Sequence, residues 1–456
     1  MIELICQHVD DRSARGIAAT IGRLVSTGEM SVGDRLPTVR QLSRRLGVSP
    51  TTVGEAWRTL AEIGAIETLG RNGSYVRQPT GPGSPRRYRR LVADPDDRGH
   101  FRIDLSTGTP DAALLPVLGP ALANVSGRSL TSTYLDHAVL PDLEKALRDS
   151  WPFDPEELTV VDGALDALDR IAQVVVRLGD RVVVEHPTFP PLLDLLDRLG
   201  AVVIGVPLDD EGMQLDELER ALATSPTALF LQPRAHNPTG VTMTSSRAQE
   251  IARLVAASPN GDQIVVVEDD HSGDIAIGEP VSIGRHLPRR TVHIRSFSKS
   301  HGPDLRLAAV AGTGEVISAA SNRRMLGPGW SSRILQAVLV ELLADDTTLR
   351  ALEHARHEYA ERRRRVVEIL SSSGVTTTGS DGINLWVHVI DERAALVSLA
   401  AQGIGAAPGE PFMVDEHPPA MRLTIGLLGP SADLDGTAEM IASAASTSGE
   451  SRRGQR

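Results

Sequence analysis

The sequence lacks several features, and each absence narrows the kinds of protein that it can encode. Cys6 is the only cysteine, so no disulfide can form within the chain. No apolar run reaches the roughly 18 residues that a membrane-spanning helix needs. The first residues, MIELICQHVDDRSARG, carry acids where a signal peptide would have an apolar core. We therefore expect a cytoplasmic protein without a membrane segment and, at 456 residues, with two or three domains.

Lysine is also nearly absent. Lys145 and Lys299 are the only two lysines, and the other 45 basic residues are arginines. Such a chain uses arginine wherever a positive charge is sufficient. A lysine is then expected where arginine cannot replace its chemistry, because a guanidinium does not form a Schiff base.

The net charge of −12 argues by itself against binding to nucleic acid, but the charge is unevenly distributed. Residues 1–103 contain 16 arginines and 11 acidic residues, whereas the remainder contains 31 basic and 48 acidic residues. A basic N-terminal part on an acidic body favours a DNA-binding module attached to another domain. A chance fluctuation over about 100 residues is the alternative.

The N-terminal part has the pattern of three helices followed by a hairpin. Apolar spacing predicts helices over residues 12–27 and Val39–Leu46. The stretch LGVSP then predicts a third helix that Ser49 caps and that runs to about residue 63. Apolar and polar residues alternate on both sides of a Gly-Arg-Asn-Gly turn, and this pattern predicts a hairpin at 65–77. Two helices joined by a tight turn, followed by a two-stranded wing, indicate a winged helix-turn-helix.

The stretch GDRLPTVRQLSRRLGVSPTTVGEAWRTLAEIGAIETLGRNGSYV resembles the GntR family of DNA-binding regulators, and we assign residues 1–77 to this domain. The resemblance implies that the third helix enters the major groove of DNA. It implies DNA-contacting roles for Arg35, Arg40, Ser49, Thr51, Thr52 and Arg71. Pro50 and Gly54 stand where the family often has arginine, so we expect fewer direct contacts from this helix to the bases. Phosphate contacts, including those from the arginines of 86–90, should then contribute more of the affinity. A small helical protein-interaction domain is the alternative.

Composition changes again after the hairpin. Residues 78–103 are rich in Pro, Gly and Arg and predict a linker. From 104 to 445, short β-branched strands such as RVVVEHP and QIVVVEDD alternate with helices. This alternation predicts an α/β fold with a mostly parallel sheet covered by helices on both faces. The polar residues 446–456 predict a disordered tail.

Four motifs in this α/β part carry groups suited to pyridoxal phosphate (PLP). SFSKSHGPDLRL (296–307) supplies an amine for a Schiff base, with hydroxyls and an arginine for the phosphate. EDDHSGD (268–274) offers a carboxylate for the protonated ring nitrogen. HNPTG (236–240) offers an amide for the phenolate oxygen, and DGALDAL (162–168) opens a helix whose N–H groups suit a phosphate. Singly, each motif also fits a surface lysine, a turn or a solvated acidic corner.

Taken in order, these motifs resemble the fold type I aminotransferases over about 340 residues. The resemblance implies an α/β fold with a mostly parallel, seven-stranded type of sheet in a large domain at about 150–330, and a small α+β domain at about 331–445. It implies Lys299 as the Schiff-base lysine, Asp269 as the partner of the ring nitrogen and Arg422 as the ligand of a substrate or effector carboxylate. The other cofactor contacts that it implies are Asn237 to the phenolate oxygen, Phe189 stacked on the ring, Ser296, Ser298, Arg306, Gly163 and Ala164 to the phosphate, and Tyr134 reaching the phosphate of a neighbouring subunit.

The sequence departs from the aminotransferase pattern at two places. His271 stands where the family usually has a tyrosine; imidazole can also bind the phenolate oxygen, but the pKa and spectrum of the bound cofactor should differ. Val139 and Lys145 fall about where the family has a glycine and an arginine, so effector contacts from that loop are doubtful. For Arg422, an ordinary surface arginine is the alternative.

A GntR-like winged helix followed by an aminotransferase fold resembles the MocR-type regulators, a subfamily of the GntR family. The resemblance implies a domain-swapped homodimer that binds promoter DNA and uses PLP as cofactor or effector. We expect a regulator that senses PLP or an amino compound and retains at most an aminotransferase half-reaction, with no metal site. A true aminotransferase with a secondary DNA-binding domain, and a regulator that has lost PLP, are the alternatives.

Overall fold

Residues 1–86 and residues 87–456 form two separate units in the computed structural model. The structure describes residues 1–9, 11–26, 29–31, 33–62, 66–68, 73–76, 87, 101–126, 133, 137–430 and 432–448. Within these ranges, every helix is too short or too polar to cross a lipid bilayer.

The N-terminal unit contains four helices and a hairpin within its described residues. Its elements are α1 (Ile2–His8), α2 (Ala14–Ser26), α3 (Val39–Leu46), α4 (Pro50–Glu62), β1 (Ile66–Thr68) and β2 (Ser74–Val76). Helix α1 was not predicted from the sequence. Its buried Ile5 joins a core that also contains Ile17, Leu42 and Leu60. The short first helix is therefore part of the domain.

The turn between α3 and α4 follows from its capping residues. Thr38 and Gln41 form a reciprocal capping box that starts α3. Gly47 ends α3 in the left-handed conformation, at φ +68°. Ser49 Oγ accepts the Thr52 N–H at 3.0 Å, and Pro50 is the first residue of α4. The two helices are thus held in the arrangement that the sequence predicts.

The wing is an antiparallel pair in which Ile66 lies opposite Val76, and both side chains are buried in the core of the helices. The predicted DNA-contacting residue Arg71 lies outside the described residues.

The second unit follows the alternating order of strands and helices expected from the sequence. Its first half contains β3 (Ile103–Asp104), α5 (Gly119–Ser126), α6 (Pro141–Asp149), β4 (Glu157–Val161), α7 (Ala164–Val175), β5 (Arg181–His186), α8 (Pro190–Leu199), β6 (Val202–Asp209), β7 (Gly212–Met213), α9 (Leu215–Leu222), β8 (Ala228–Leu231), α10 (Ser245–Ala257), β9 (Val265–Asp270), β10 (Thr291–Ser296), β11 (Ala308–Gly312) and α11 (Gly314–Arg324). Its second half contains α12 (Arg333–Ala344), α13 (Asp346–Ser372), β12 (Thr377–Thr378), β13 (Leu385–His388), α14 (Glu392–Ala401), β14 (Ile404–Gly405), β15 (Ala407–Pro408), β16 (Ala420–Leu423) and α15 (Leu434–Ala445).

The large sheet of this unit has the strand order β4-β11-β10-β9-β8-β5-β6-β7 among the described residues. The pairs from β10 through β9, β8 and β5 to β6 are parallel, and β11 runs antiparallel to both of its neighbours. The two-residue β7 adds an edge to the seven strands that the sequence predicts. Apolar clusters cover both faces of the sheet. Because β5, β8, β9 and β10 are parallel, their carboxyl ends meet at one edge, and the segments that follow them form one site.

A smaller sheet, β12-β13-β16-β15, packs with α13, α14 and α15 around a second core. The segment that enters this unit also belongs to that core. Ile103, which the sequence analysis places at the end of the linker, starts β3 and pairs with Ile404 of β14. Leu105 is fully buried in the same cluster. The sequence signal was weak there because β3 has only two residues and its partner lies about 300 residues away in the chain.

Candidate functional site

Lys299 lies just after β10, at the sheet edge where the parallel strands end. Burial, opposed by the charge of Asp269 and assisted by the nearby Arg422 guanidinium, lowers the pKa of its amine to about 8. At pH 7.5 about one amine in four is then neutral, compared with about one in a thousand at the ordinary pKa of 10.5. The second lysine is different. Lys145 is an exposed residue of α6 whose amine pairs with Asp149 at 2.6 Å.

Asp269 lies in β9 opposite Ile294 of β10, so its carboxylate belongs to the same edge. The residue is only 5% exposed. Its Oδ2 accepts a hydrogen bond from Gln232 Nε2 at 2.8 Å, while the buried Oδ1 has no partner among the described residues. Burial raises the pKa of this carboxyl to about 6, against the hydrogen bond from Gln232 and the charge of Lys299. One buried acceptor oxygen is therefore left for a ligand that carries an N–H.

Asn237 follows β8 and is held by three neighbours. Its backbone N–H donates to Gln232 Oε1 at 2.8 Å. Its Oδ1 accepts from Asn384 Nδ2 at 3.4 Å and from Arg422 at 3.5 Å. Arginine can only donate, so this contact fixes which end of the Asn237 amide is the oxygen. The Nδ2 group is thereby left to donate to a ligand.

His271, the residue that replaces the usual tyrosine, is buried at the end of β9. Burial lowers the pKa of its imidazole well below the usual value, so the ring is neutral. Its Nδ1 lies 3.4 Å from Ser272 Oγ, and its Nε2 has no partner among the described residues. A backbone hydrogen bond with Ala235 also acts on the ring and opposes the fall in its pKa. A neutral imidazole can bind a phenolate oxygen only through the nitrogen that carries its hydrogen.

The amino end of α7 is an anion site by geometry. Gly163 precedes the helix at φ +104° and offers no side-chain cap, so the first N–H groups, beginning at Ala164, remain open. Arg306, itself at φ +49°, donates to the carbonyl oxygen of Asp162 at 3.2 Å. A Cβ on Gly163 would lie 3.3 Å from the Arg306 guanidinium. Glycine is therefore required both for the turn and for the close approach of the arginine.

Ser296 and Ser298 bracket the strand end before Lys299. Ser296 is buried, Ser298 is half-buried, and the Ser298 N–H donates to Ser296 Oγ at 3.3 Å. Phe189 precedes α8 and lines one small cavity together with Asp269 and Gln232. The aromatic ring and the carboxylate thus belong to the same site. Tyr134, for which the sequence predicts a phosphate contact, lies outside the described residues.

Arg422 of β16 is only 4% exposed, so the alternative of an ordinary surface arginine is wrong. Its guanidinium donates to the carbonyl oxygen of Ser106 and lies 5.4 Å from the centre of the Phe412 ring. Its Nε has no partner among the described residues. A Cβ on Gly108 would lie 3.0 Å from the guanidinium, so glycine keeps this approach open. Burial lowers the pKa of the guanidinium to about 10, which leaves it charged at neutral pH.

Two residues that organise this site, Gln232 and Asn384, were not predicted from the sequence. Both are buried, and both bind Asn237. Gln232 comes directly after β8, and this position at a strand's carboxyl end was the one available signal. Asn384 lies 147 residues from its partner, and nothing in its local sequence indicates the contact.

The predicted DNA-binding residues occupy the turn and the two helices of the N-terminal unit. Arg35, Arg40, Ser49 and Thr51 are exposed, and Thr52 is half-buried with its hydroxyl 2.8 Å from that of Ser49. The Arg35 guanidinium lies 6.0 Å from the centre of the Tyr75 ring on the wing. These positions leave the arginines accessible to a phosphate backbone.

Arg87 differs from the expectation that the arginines of 86–90 bind DNA phosphates. Its guanidinium donates to the carbonyl oxygens of Pro411 and Met413, at 3.4 and 2.5 Å, and its backbone N–H donates to Asp194. A guanidinium held in this way is committed to its own unit. The other residues of that cluster lie outside the described residues.

Each of the two units matches a known family. Residues 13–76 match the family "Bacterial regulatory proteins, gntR family", and residues 102–441 match "Aminotransferase class I and II". The chain is 33% identical, over 93% of its length and 96% of the relative's, to the Vitamin B6 salvage pathway transcriptional repressor PtsJ of Salmonella typhimurium. It is 27% identical, over 76% and 74% respectively, to the Probable rhizopine catabolism regulatory protein MocR of Rhizobium meliloti.

The chain belongs to the MocR-type regulators of the GntR family. The second unit of this MocR-type regulator also resembles solved aminotransferases. One is the multiple substrate aminotransferase of Thermococcus profundus, with a TM-score of 0.70 and 22% identity over 80% of this chain and 94% of the other. The predicted fold class is confirmed. This MocR-type regulator is a DNA-binding transcriptional regulator whose aminotransferase-like domain binds PLP.

The residues at the sheet edge fit PLP. The ring nitrogen of PLP, when protonated, supplies the donor that the buried Asp269 Oδ1 lacks. The phenolate oxygen supplies an acceptor for Asn237 and His271, and the phosphate supplies an anion for the amino end of α7. When bound, PLP contributes an aldehyde that reacts with amines and a ring that withdraws electrons.

Proposed function

We propose that this site is the sensor of the regulator and that its occupation by PLP, or by PLP together with an amino compound, changes operator binding. The observation that carries the proposal is a buried carboxylate oxygen, Asp269 Oδ1, without a partner among the described residues. Leaving such an atom unpaired costs about 1–3 kcal/mol. A ligand that donates a hydrogen bond to it would recover that cost.

The roles we propose follow the chemistry of each group. Lys299 attaches PLP covalently through its amine, which burial keeps partly neutral. Asp269 accepts the hydrogen of the ring nitrogen, and Asn237 and His271 donate to the phenolate oxygen. Phe189 stacks on the ring. The proposed phosphate ligands are Gly163, Ala164, Ser296, Ser298 and Arg306, with Tyr134 from a second subunit.

PLP itself is the first effector to test, because the Salmonella relative is named as a repressor of vitamin B6 salvage. An amino compound with a carboxylate is the second. The buried Arg422 favours it, since its partner-free Nε–H can only donate and therefore needs an acceptor such as a carboxylate oxygen. A true aminotransferase is the alternative that Arg422 supports. We expect a half-reaction at most, and sustained turnover of about 1 per second or more would contradict this.

On the DNA side, we propose that Arg35, Arg40 and Arg71 bind phosphates or base edges and that Ser49, Thr51 and Thr52 contact DNA from the amino end of α4. A regulator that binds duplex promoter DNA in a bacterium works in the cytoplasm, and we propose that location. Equivalent half-sites in an operator require two copies of the recognition helix.

We therefore propose a domain-swapped homodimer. Support comes from large apolar side chains of the second unit that face solvent, with Met325 55% and Leu326 92% exposed directly after α11. Ile334 of α12 and Val117 before α5 are exposed by 56% and 77%. Large apolar side chains left exposed are expected where another chain covers the surface. Light scattering should give the mass of a dimer, and the proposal is wrong if the protein remains a monomer at micromolar concentration.

The test of the sensor uses the two lysines as a matched pair. Operator affinity would be measured with and without PLP for the wild type, Lys299→Ala and Lys145→Ala. We expect PLP to change the affinity of the wild type and of Lys145→Ala equally, and to leave that of Lys299→Ala unchanged. If Lys299→Ala responds to PLP like the wild type, covalent attachment at this residue is not the sensor.

A further inference from the structure

Gln232 is a buried side chain, 6% exposed, whose polar groups are all engaged within the site. Its Nε2 donates to Asp269 Oδ2 at 2.8 Å, and its Oε1 accepts the backbone N–H of Asn237 at 2.8 Å. Its own backbone N–H donates to the buried Glu185 at 2.7 Å. One amide therefore joins the residue proposed for the ring nitrogen to the segment that carries the residue proposed for the phenolate oxygen.

The two hydrogen bonds act on the site in different ways. The donor bond occupies one oxygen of Asp269, which leaves only Oδ1 for a ligand and stabilises the ionised form of the carboxyl. The acceptor bond fixes the backbone that carries Asn237. Because one planar amide makes both bonds, neither group can rotate without breaking a buried hydrogen bond. Lys299, Asp270 and His293 also act electrostatically on Asp269, and none of them makes a hydrogen bond to its carboxylate among the described residues.

We propose that Gln232 is the positioning residue of the PLP site. It orients the ionised Asp269 carboxylate toward the cofactor ring and fixes the position of Asn237 relative to Asp269. This inference rests on the proposed sensor function of the site. Gln232 itself is not proposed to touch the cofactor, and its effect is transmitted through the two residues that it binds.

The test separates the two bonds with two substitutions. Gln232→Glu keeps an acceptor for the Asn237 N–H but removes the donor to Asp269 and places a like charge beside it. Gln232→Leu removes both bonds at similar volume. The readouts are the dissociation constant of PLP between pH 5 and 8.5, the absorbance of bound PLP over the same range, and the thermal midpoint of the ligand-free protein.

The pH profile is the informative readout. The carboxyl of Asp269 titrates at about pH 6, so wild-type affinity should fall as pH decreases through that value. Without the hydrogen bond from Gln232 the ionised Asp269 carboxylate is less stable, so its pKa rises. The loss of PLP affinity with decreasing pH should therefore begin at a higher pH in both variants than in the wild type. We expect PLP binding about tenfold weaker at pH 7, the loss typical of a hydrogen bond to a charged group. PLP and Lys299 also ionise in this pH range, in the wild type as in the variants, so the informative quantity is the difference between each variant and the wild type at the same pH.

Gln336→Leu is the matched control. Gln336 is equally buried, with its Oε1 accepting from Leu140 and its Nε2 donating to two carbonyl oxygens, but it binds no residue of the proposed ring contacts. It should lower the thermal midpoint and leave the pH profile in place. The inference is overturned if the Gln232 variants lower only the thermal midpoint while wild-type PLP binding behaves as expected. If the wild type binds no PLP at all, the proposed sensor function fails as well.

Discussion

The lowered pKa of Lys299 should be visible in the rate at which the protein captures PLP. The neutral amine is the nucleophile, so the rate follows the fraction of Lys299 that is unprotonated. With a pKa of about 8, that fraction is about 1% at pH 6, about 9% at pH 7 and about half at pH 8. The rate should therefore rise about tenfold between pH 6 and 7 and level off above pH 8 to 9.

The assay is stopped-flow absorbance at 410–420 nm after mixing ligand-free protein with PLP at a series of pH values. Lys145→Ala should reproduce the wild-type profile, because Lys145 is exposed and pairs only with Asp149. Lys299→Ala should give no fast phase. A free lysine analogue, measured alongside, corrects for the ionisations of PLP.

A capture rate that still rises tenfold per pH unit beyond pH 9.5 would refute the reasoning, because an amine with an ordinary pKa near 10.5 behaves in that way. Such a profile would mean that Lys299 is hydrated and that the sheet edge does not desolvate it.

Three further substitutions test other parts of the account. Arg422→Gln removes a cation that lowers the pKa of Lys299, so the rate of PLP capture should level off at a higher pH. The same variant should also lose any preference for an amino acid over the corresponding amine without a carboxylate, as measured by competition spectroscopy. Arg40→Ala should weaken operator binding and reduce the slope of log affinity against log salt concentration by about one. Arg45→Ala should change this slope less, because the Arg45 guanidinium already pairs with a carboxylate. If the two variants change the slope equally, Arg40 does not make a specific phosphate contact. Arg87→Ala removes the hydrogen bonds to Pro411 and Met413, next to the Phe412 ring that packs on Arg422. PLP should still bind to this variant, but the change that PLP causes in operator affinity should become smaller. If fluorescence anisotropy shows the same PLP-dependent change as in the wild type, the Arg87 hydrogen bonds do not contribute to the response.

The parts of the site that could be predicted from the sequence are those carried by short motifs at strand ends. Lys299, Asp269 and Asn237 each follow or end a buried parallel strand, and parallel strands bring their carboxyl ends to one edge. The GntR-like turn was predictable for a similar reason, because the capping signals at Thr38 and Ser49 act within three residues.

What could not be predicted depends on contacts between distant segments. Gln232 looks like any polar residue after a strand until Asp269 is placed 37 residues later in the chain. Arg87 lies in a Pro- and Arg-rich stretch, and only the fold brings the carbonyl oxygens of Pro411 and Met413 to it. Helix α1 has seven residues, too few for a clear periodic pattern, and packing of Ile5 decides its conformation.

The central claim is that PLP is bound covalently by the amine of Lys299 in a protein that also binds operator DNA. Reduction of the PLP-loaded protein with borohydride, followed by peptide mapping, tests this claim most directly. We expect a single modified peptide, containing SFSKSHGPDLRL, in wild-type protein that has been eluted from its operator. A modification found on the Lys145 peptide instead, or on neither peptide, would contradict it.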